Sequence, residues 1–270
     1  MAGIKACTTT RLSPAELRGL SFEGAPSSVT LVDEATGATV TVETDCGALD
    51  VPVEGVPRLV TASWEMDGVT VQASLDVVAR QYCEISDIKG YRADQYQLEE
   101  LYPDDSAFFE ARARAIEVIE GECHRYLQPV MRCGFVDRPA CTTRTMLMGD
   151  GGYQHDIISI VRAVDGGADV DVRLVRPGSD FVDVTRMRVG QAAEVVYTCG
   201  MLRTPAEMRD AVVALAALYL APKTAPDNAT STSTEAGVLS FVVGGVNGAT
   251  SIPEVNALID RHGLADLKVG

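Results

Sequence analysis

The residue types in this chain that could carry chemistry are few, and one group of them could bind a soft metal ion. This group comprises Cys123, His124, Cys133 and Cys141. Its spacing does not match a familiar tetrahedral zinc arrangement. Cys123 also falls on the apolar side of a predicted helix, where packing alone explains a buried thiol. We therefore expect core packing here rather than a metal site, and nothing implies a cofactor.

Acid–base chemistry would have to involve His124, His155 or His262, the three histidines of the chain. His124 is expected on a helix surface, and His262 near a helix C-terminus suits the helix dipole. No motif of a serine hydrolase, a zinc protease or a phosphate-binding loop occurs, and the glycine-rich stretch 244–248 lacks the following lysine of such a loop. We expect that the protein is not an enzyme.

The acidic clusters also have simple structural explanations. Asp104 and Asp105 could form a metal-binding pair, but their position before a helix predicts N-caps. Glu117, Glu120 and Glu122 could supply a general acid or base, but they are expected to form a solvated helix face. Sequence alone therefore assigns no catalytic, cofactor-binding or metal-binding residue.

Charge and composition narrow the class of protein. The chain has 38 acidic against 23 basic residues and a formal net charge of −15, which disfavours sequence-independent binding of nucleic acids. Its seven cysteines are scattered without a Cys-x-x-Cys motif, which favours free thiols in a reducing compartment. The first residues lack the apolar run of a secretion signal, and the apolar stretch 211–222 is too short to cross a membrane. We expect a soluble protein made in a cytoplasm.

Apolar periodicity predicts an α+β protein. We expect an N-terminal helix or arm in residues 1–24 and a small β-sandwich or barrel in residues 25–84. Residues 85–223 are predicted to form a helical core that carries a β-hairpin unit. Residues 224–270 are predicted to form an extended arm and a C-terminal helix.

Turn and cap signals place the elements within these regions. Asp67-Gly68 separates two alternating runs, and Asp165 to Gly167 separates two more, so both predict β-hairpins. Ser13 to Glu16 resembles a capping box and predicts a short helix. Trp64 lies in phase on a strand and is expected in the core rather than on an exposed ligand platform.

Three helices are predicted in the rest of the chain. The first has an apolar stripe consisting of Phe109, Ala113, Ile116, Ile119, Cys123 and Tyr126. The second follows a capping box at 204–207 and is almost wholly apolar through Leu220, so other protein must cover it. The third follows a capping box at 251–254, and Gly263 is predicted to end it.

The C-terminal arm is the predicted contact region. Burial of its apolar side chains on a partner could offset the entropy lost when the arm becomes ordered. These side chains are Phe241, Val242, Val243, Val255, Leu258 and Ile259. We expect that a chain cut after Leu220 still folds but no longer docks.

The helical stretches resemble the head-tail connector proteins, or adaptors, of tailed bacteriophages. The resemblance rests on the helix from Asp104 to Leu127, the apolar helix from Pro205 to Leu220, and the tail from Gly244 to His262. It covers about two-thirds of the chain. The β-rich region of residues 29–83 and the strands of residues 154–199 go beyond the compact helical bundle that the family implies.

The resemblance implies a structural protein of the virion neck, assembled in the host cytoplasm. Such a protein forms a ring, commonly a dodecamer, beneath the portal protein and extends the DNA channel. Its partners are the portal, neighbouring copies of itself, and the next neck or tail protein, a stopper or tail terminator. DNA passes through the lumen without specific binding, and no membrane is involved.

Other readings of the sequence stay open. The chain could be another neck or tail-completion protein, a phage-encoded enzyme with a β accessory domain, or a binding module. A deep pocket with a strongly shifted pKa would favour the enzyme. An exposed aromatic platform in residues 29–83 would favour the binding module, whereas a buried Trp64 would weaken it.

Overall fold

The protein is α+β, and its chain divides into two compact units, each built from two separate segments. The computed structural model describes residues 3–44, 48–51, 53, 55–149, 152–221, 231–234, 237–240 and 250–264. The β unit combines Met1–Gln81 with Tyr126–Thr204, and the helical unit combines Tyr82–Arg125 with Pro205–Gly270. This grouping differs from the predicted domains, because residues 126–204 belong to the same compact unit as the N-terminal strands.

Eight described strands form the first half of the β unit. They are β1 (Gly3–Ile4), β2 (Thr9–Leu12), β3 (Leu20–Phe22), β4 (Ser28–Asp33), β5 (Ala38–Glu43), β6 (Ala48–Leu49), β7 (Arg58–Met66) and β8 (Val69–Val77). They form a five-stranded sheet of order β2-β8-β7-β4-β5 and a three-stranded sheet of order β1-β3-β6. Strand β2 pairs parallel to β8. The predicted N-terminal helix is a single 3-10 turn, Pro14–Leu17.

The predicted hairpin at Asp67-Gly68 is confirmed. Met66 pairs with Val69, and the two turn residues have φ angles of 52° and 78°. Two positive φ angles in a two-residue turn match the right-handed twist of the flanking strands. Trp64 lies on β7 with only 3% exposure, packs edge-on against Phe22, and donates its indole N–H to a backbone carbonyl 2.9 Å away. The expected core position of Trp64 is therefore confirmed.

Nine described strands form the second half of the β unit. They are β9 (Val130–Asp137), β10 (Arg144–Met146), β11 (Met148–Gly149), β12 (Gly152–Tyr153), β13 (Ile157–Asp165), β14 (Ala168–Asp169), β15 (Arg173–Leu174), β16 (Phe181–Asp183) and β17 (Ala192–Cys199). One sheet has the order β12-β11-β9-β17-β13-β14, and a smaller sheet has the order β10-β16-β15. The predicted turn after Asp165 is confirmed, but its return strand ends at Asp169, and β15 joins the smaller sheet.

The helical unit contains six described helices and one strand pair. They are α1 (Ile85–Lys89), α2 (Ala93–Tyr96), α3 (Leu98–Leu101), α4 (Ser106–Cys123), α5 (Met208–Leu220) and α6 (Pro253–His262), with β18 (Ser231–Thr234) paired to β19 (Gly237–Ser240). Helix α4 packs against α5 and α6, and α5 packs against α6. This unit therefore has α4 and α5 at its centre.

The buried face of α4 differs from the predicted stripe at several positions. Phe108 and Ala115 are fully buried, whereas Ala113 is exposed and Phe109 is partly exposed. Ile116, Ile119 and Cys123 are buried as predicted. The N-terminal part of the predicted stripe was therefore placed one residue too late in the sequence.

Helix α5 is covered by its neighbours, as its apolar sequence predicts. Among its buried side chains are Val212, Leu215 and Ala216, while Leu218 is 38% exposed. Helix α6 begins after Ile252, and its first turn is secured by Thr250, whose backbone N–H donates to Oδ1 of Asn256 over 2.8 Å. The predicted cap at Ser251 is thus replaced by a Thr250–Asn256 pair. Gly263 ends the helix as predicted, although with a φ of −63°.

Candidate functional site

The predicted soft-ligand cluster does not form a metal site in the described part of the chain. Cys123 is fully buried on α4, while Cys133 and Cys141 are exposed in the β unit. No group of three or more His, Cys, Asp or Glu side chains among the described residues could hold a metal ion. The burial of Cys123 raises its thiol pKa to about 11, as expected for a core cysteine.

The acidic candidates have structural roles, and one differs from its prediction. Oδ1 of Asp104 accepts the backbone N–H of Ser106 over 2.7 Å at the start of α4, and Asp105 pairs with Lys89 over 2.8 Å. Glu120 was expected on a solvated face. It is instead 7% exposed and accepts a hydrogen bond of 2.6 Å from the hydroxyl of Tyr82. The α4 register that buries Ile119 also buries Glu120.

Two of the three histidines lie beside carboxylates. His155 Nδ1 is 3.3 Å from Asp180, and His262 Nε2 is 3.3 Å from Oε1 of Glu207. Glu207 precedes α5 and also pairs with Arg261 at 2.6 Å. A backbone hydrogen bond, with His262 and Arg261, lowers the pKa of Glu207 to about 2. These contacts fasten the end of α6 to the start of α5. The remaining histidine, His124, is the left-handed residue that ends α4.

The predicted contact residues of the C-terminal arm require a correction. Phe241, Val242 and Val243 lie outside the described residues. Val255, Leu258 and Ile259 are 0%, 3% and 8% exposed, because α6 packs against α4 and α5 of its own chain. The apolar face of α6 is therefore part of the helical core and offers no exposed contact. Cutting the chain after Leu220 would also remove this packing.

A buried ionic cluster joins the two halves of the β unit. Asp76 on β8 is 1% exposed, and its Oδ2 accepts hydrogen bonds from Nε of Arg11 over 2.9 Å and from Arg132 over 2.8 Å. The Arg132 guanidinium lies 4.5 Å from the ring centroid of Tyr126 and donates to its hydroxyl over 3.0 Å. Strands β2, β8 and β9 thus meet at one carboxylate.

The electrostatics of Asp76 suit a structural ion pair. Burial alone would raise its pKa, but Arg11 and Arg132 outweigh burial and hold the pKa below its usual range. Asp76 is therefore ionised at neutral pH and shielded from solvent. Beside it, Ala35 and Leu59 of the first half pack against Met131 and Val196 of the second.

Two surface cavities of the β unit also lack a reactive arrangement. One of about 350 Å³ is lined largely by apolar side chains near the 3-10 turn, and its carboxylate, Asp50, accepts the N–H of Gly19 over 2.7 Å. Another of about 240 Å³ is lined by Asp171, Asp183 and Thr185 with two arginines. In the second lining, the hydroxyl and the backbone N–H of Thr185 both donate to Oδ1 of Asp183, which lowers the pKa of this carboxylate and makes it a weaker base.

An exposed apolar band is the most distinctive surface of the β unit. It comprises two groups, Phe135, Met148 and Tyr153 on one sheet and Met146 and Phe181 on another. Leu147, between Met146 and Met148, is fully buried in the core, and both methionines are half-buried. Met148 pairs with both Phe135 and Tyr153, and Met146 pairs with Phe181. Side chains directly opposite each other share a face, so each group is continuous within its own sheet.

The three aromatic members of this band are strongly exposed. Phe135 is 51%, Tyr153 is 60% and Phe181 is 47% exposed. Aromatic side chains bury about 150–250 Å² each, so these three expose on the order of 300 Å². About 300 Å² is within the range of the largest apolar patch on a typical monomer, and such a patch is often functional.

Arginines lie at one end of the band. Arg144 pairs with Asp183, which also pairs with Arg173, in the register next to Met146 and Phe181. Arg173 and Arg186 both bind Asp171, at 2.8 and 2.5 Å. Three arginines against two aspartates leave this end slightly positive in a chain of net charge −15.

Sequence reasoning missed both the ionic cluster and the band. The band left no alternating signal, because Met146, Leu147 and Met148 are three consecutive apolar residues. The cluster left no local signal, because Arg11 and Asp76 are 65 residues apart.

Comparison with known proteins does not assign the chain to a family. No protein-family model matches it, and none of the curated proteins matches it. Within the described residues, no helix has the length and apolar character needed to span a membrane.

Proposed function

We propose that this protein is a head-tail connector of a tailed bacteriophage, a structural component of the virion neck. In this role it forms a ring beneath the portal protein and extends the DNA channel. It joins the head to the next neck or tail protein. Its domains would then be a helical connector unit that carries a β insertion, and an N-terminal β-rich accessory part.

The packing of α4, α5 and α6 is the observation that carries this proposal. These helices correspond to the three stretches that resemble connector proteins, and they are far apart in sequence. They nevertheless pack on one another in the helical unit. The three stretches that carry the resemblance therefore belong to one compact unit, which supports the proposal.

The charge distribution is compatible with a channel for DNA. The segments of the helical unit contain 18 acidic and nine basic residues. Such a surface repels phosphate groups, so DNA could pass without being held. The exposed apolar band of the β unit supports a protein that acts through contacts with other proteins.

Electron microscopy of the full chain with its portal would test the proposal. The purified protein would be imaged alone and mixed with the portal protein encoded in the same genome. We expect an added layer on one end of the portal, with copies arranged in a ring. Separate particles in every mixture, at protein concentrations up to the solubility limit, would refute the connector function.

The binding-module alternative loses its main argument in this structure. That alternative needed an exposed aromatic platform in residues 29–83, and Trp64 is buried. The enzyme alternative needed a deep pocket around groups with strongly shifted pKa. Asp76, a fully buried carboxylate of the β unit with a lowered pKa, lies between two arginines.

A further inference from the structure

Strand β5 forms one edge of the five-stranded sheet and can accept another strand on its free side. In the described part of the chain, β4 is the strand that pairs with it. Thr44, next to β5, donates its N–H to the carbonyl of Ser27, and antiparallel ladders alternate between bonded and non-bonded pairs. The backbone N–H and C=O groups of Thr39, Thr41 and Glu43 therefore point away from β4.

This edge lacks the devices that usually protect a sheet from strand addition. Lysine, proline and bulges commonly shield an edge strand. The sequence of β5 contains neither lysine nor proline, and its pairing with β4 continues over all six residues without a bulge. Val40 pairs with the buried Leu31 and is nevertheless 49% exposed. The buried apolar face of the sheet thus extends onto β5 and is left half-covered there.

The helical unit contains a strand pair that has no sheet to join. Strands β18 and β19, which we call the hairpin, form a two-stranded sheet separate from that of β5 in the same chain. Each packs extensively on the other and on no further helix or strand of the described residues. A sheet of two strands is marginally stable at best in water. The hairpin therefore gains stability from any sheet edge that receives it.

Chain length allows the hairpin to reach a neighbouring copy. Nine residues separate Ala221 from Ser231, and nine separate Ser240 from Thr250. A segment of nine residues can span up to about 30 Å. This distance is comparable to the diameter of a small domain.

We propose that the hairpin of one copy adds to the free edge of β5 in a second copy. Strand β19 contains Val238 and Leu239, whereas β18 consists of serine and threonine, so β19 is the strand that lies beside β5. Main-chain hydrogen bonds to Thr39 and Thr41 hold it there. Adjacent residues of a strand point to opposite faces, so one of the two apolar side chains covers Val40.

This contact joins two different parts of the same chain. Such a head-to-tail contact leaves one β5 edge and one hairpin unoccupied at the ends of every open oligomer, so copies add until a ring closes. The inference rests on the proposed function, because it names the contact between neighbours in the ring. It does not involve the portal.

The edge is tested by a proline that removes one outward N–H. Thr41→Pro leaves the bonds to β4 in place, because proline is accepted in an edge strand where its nitrogen faces outward. Thr41→Ala is the matched control, since it keeps the N–H. In sedimentation velocity, we expect Thr41→Pro to associate at least roughly tenfold more weakly than the original chain and Thr41→Ala to associate like it.

A second edge variant is available if the proline prevents folding, which circular dichroism and Trp64 fluorescence would reveal. Thr39→Lys with Thr41→Lys adds two exposed lysines to the edge, which oppose strand addition. Thr70→Lys with Gln72→Lys is its control, because these exposed positions lie on β8 in the interior of the same sheet. The edge lysines should weaken association by a similar factor, and the interior lysines should not.

The hairpin is tested by a change in its strand propensity. Val238→Gly with Leu239→Gly weakens β19, because glycine is unfavourable within a strand. Val238→Ile with Leu239→Ile is the control that keeps strand propensity. We expect the glycine variant to associate at least roughly tenfold more weakly than the original chain and the isoleucine variant to associate normally.

Mixing the edge variant with the glycine variant gives the decisive measurement. The edge variant keeps its hairpin and the glycine variant keeps its β5 edge, so one productive contact remains. We expect a heterodimer that does not grow further. Hydrogen exchange in residues 38–43 of the glycine variant should slow at least roughly tenfold in the mixture, because the outward amides become bonded. A mixture without heterodimers, unchanged exchange in these residues, or an original chain that stays monomeric up to its solubility limit would overturn the proposal.

The outcomes also separate this inference from the proposed function. If the original chain forms a layer on the portal and the edge and glycine variants form it equally well, the inference is wrong and the connector function stands. If the heterodimer forms as expected but no portal layer appears, the contact stands and the connector function is wrong.

Discussion

Removing the charge of Asp76 should destabilise the β unit strongly. Asp76→Asn keeps the shape of the side chain but leaves Arg11 and Arg132, 10% and 15% exposed, without their common carboxylate. Breaking a buried ion pair by removing one partner costs about 3–5 kcal/mol. For a unit of this size, that loss corresponds to a lower melting temperature by on the order of 10 °C.

Urea unfolding followed by tryptophan fluorescence would measure this loss. Trp64 is the single tryptophan and lies buried on β7, which pairs with the strand that carries Asp76. Asp171→Asn is the matched control, since Asp171 also binds two arginines but at the surface. Exposed pairs contribute little because water and salt screen them, so the control should unfold nearly like the original chain.

The pH dependence gives a second measure of the same effect. The folded-state pKa of Asp76 is lowered, so its stabilisation is fully present above the unfolded pKa of about 3.9 and is lost as pH falls through the folded value. Asp76→Asn should lack this acid-dependent loss. If the free energy of unfolding of Asp76→Asn at pH 7 lies within about 1 kcal/mol of that of the original chain, the ionic cluster does not hold the two halves of the β unit together.

Three further substitutions test other parts of the structure. Gly200→Ala would place a Cβ 2.2 Å from the carbonyl oxygen of Gln128 at a φ of +109°, so we expect loss of soluble protein or a melting temperature well below that of the original chain. Leu258→Ala should destabilise the helical unit by about 2–5 kcal/mol in thermal unfolding, and a melting temperature equal to that of the original chain would show that α6 is not part of the core. Glu207→Gln should increase hydrogen exchange in α6 at neutral pH. Because a backbone hydrogen bond, His262 and Arg261 lower the pKa of Glu207 from 4.5 to about 2, the difference in exchange between Glu207→Gln and the original chain should shrink as pH falls from 4.5 towards 2. A difference of unchanged size at pH 2 would contradict the pairing of Glu207 with His262 and Arg261.

Local patterns in the sequence predicted the elements that depend on short-range physics. The Asp67-Gly68 turn requires positive φ at both residues, and its residue types signal this directly. The period of apolar residues located α4 and α5 to within a few residues. The burial of Trp64 followed from its place in an alternating strand.

Local sequence patterns could not predict contacts between residues that are far apart in the sequence. The contacts that attach residues 126–204 to the N-terminal strands include the pair of Arg132 with Asp76, which are 56 residues apart. The apolar face of α6 illustrates a related difficulty. A periodic stripe shows that Val255 and Leu258 must be covered, but it cannot show whether the same chain or another one covers them.

The insertion of residues 126–204 between α4 and α5 also affects how the protein is made. Ribosomes add roughly 5–20 residues per second, so about 4–17 s pass between the synthesis of Cys123 at the end of α4 and Met208 at the start of α5. During this interval α4 lacks α5, one of the helices that it packs against, whereas the strands of the β unit are being completed. The β unit is therefore completed during synthesis before the helical unit is. In that period α4 has an apolar face that is not yet fully covered, and chaperones would bind this segment.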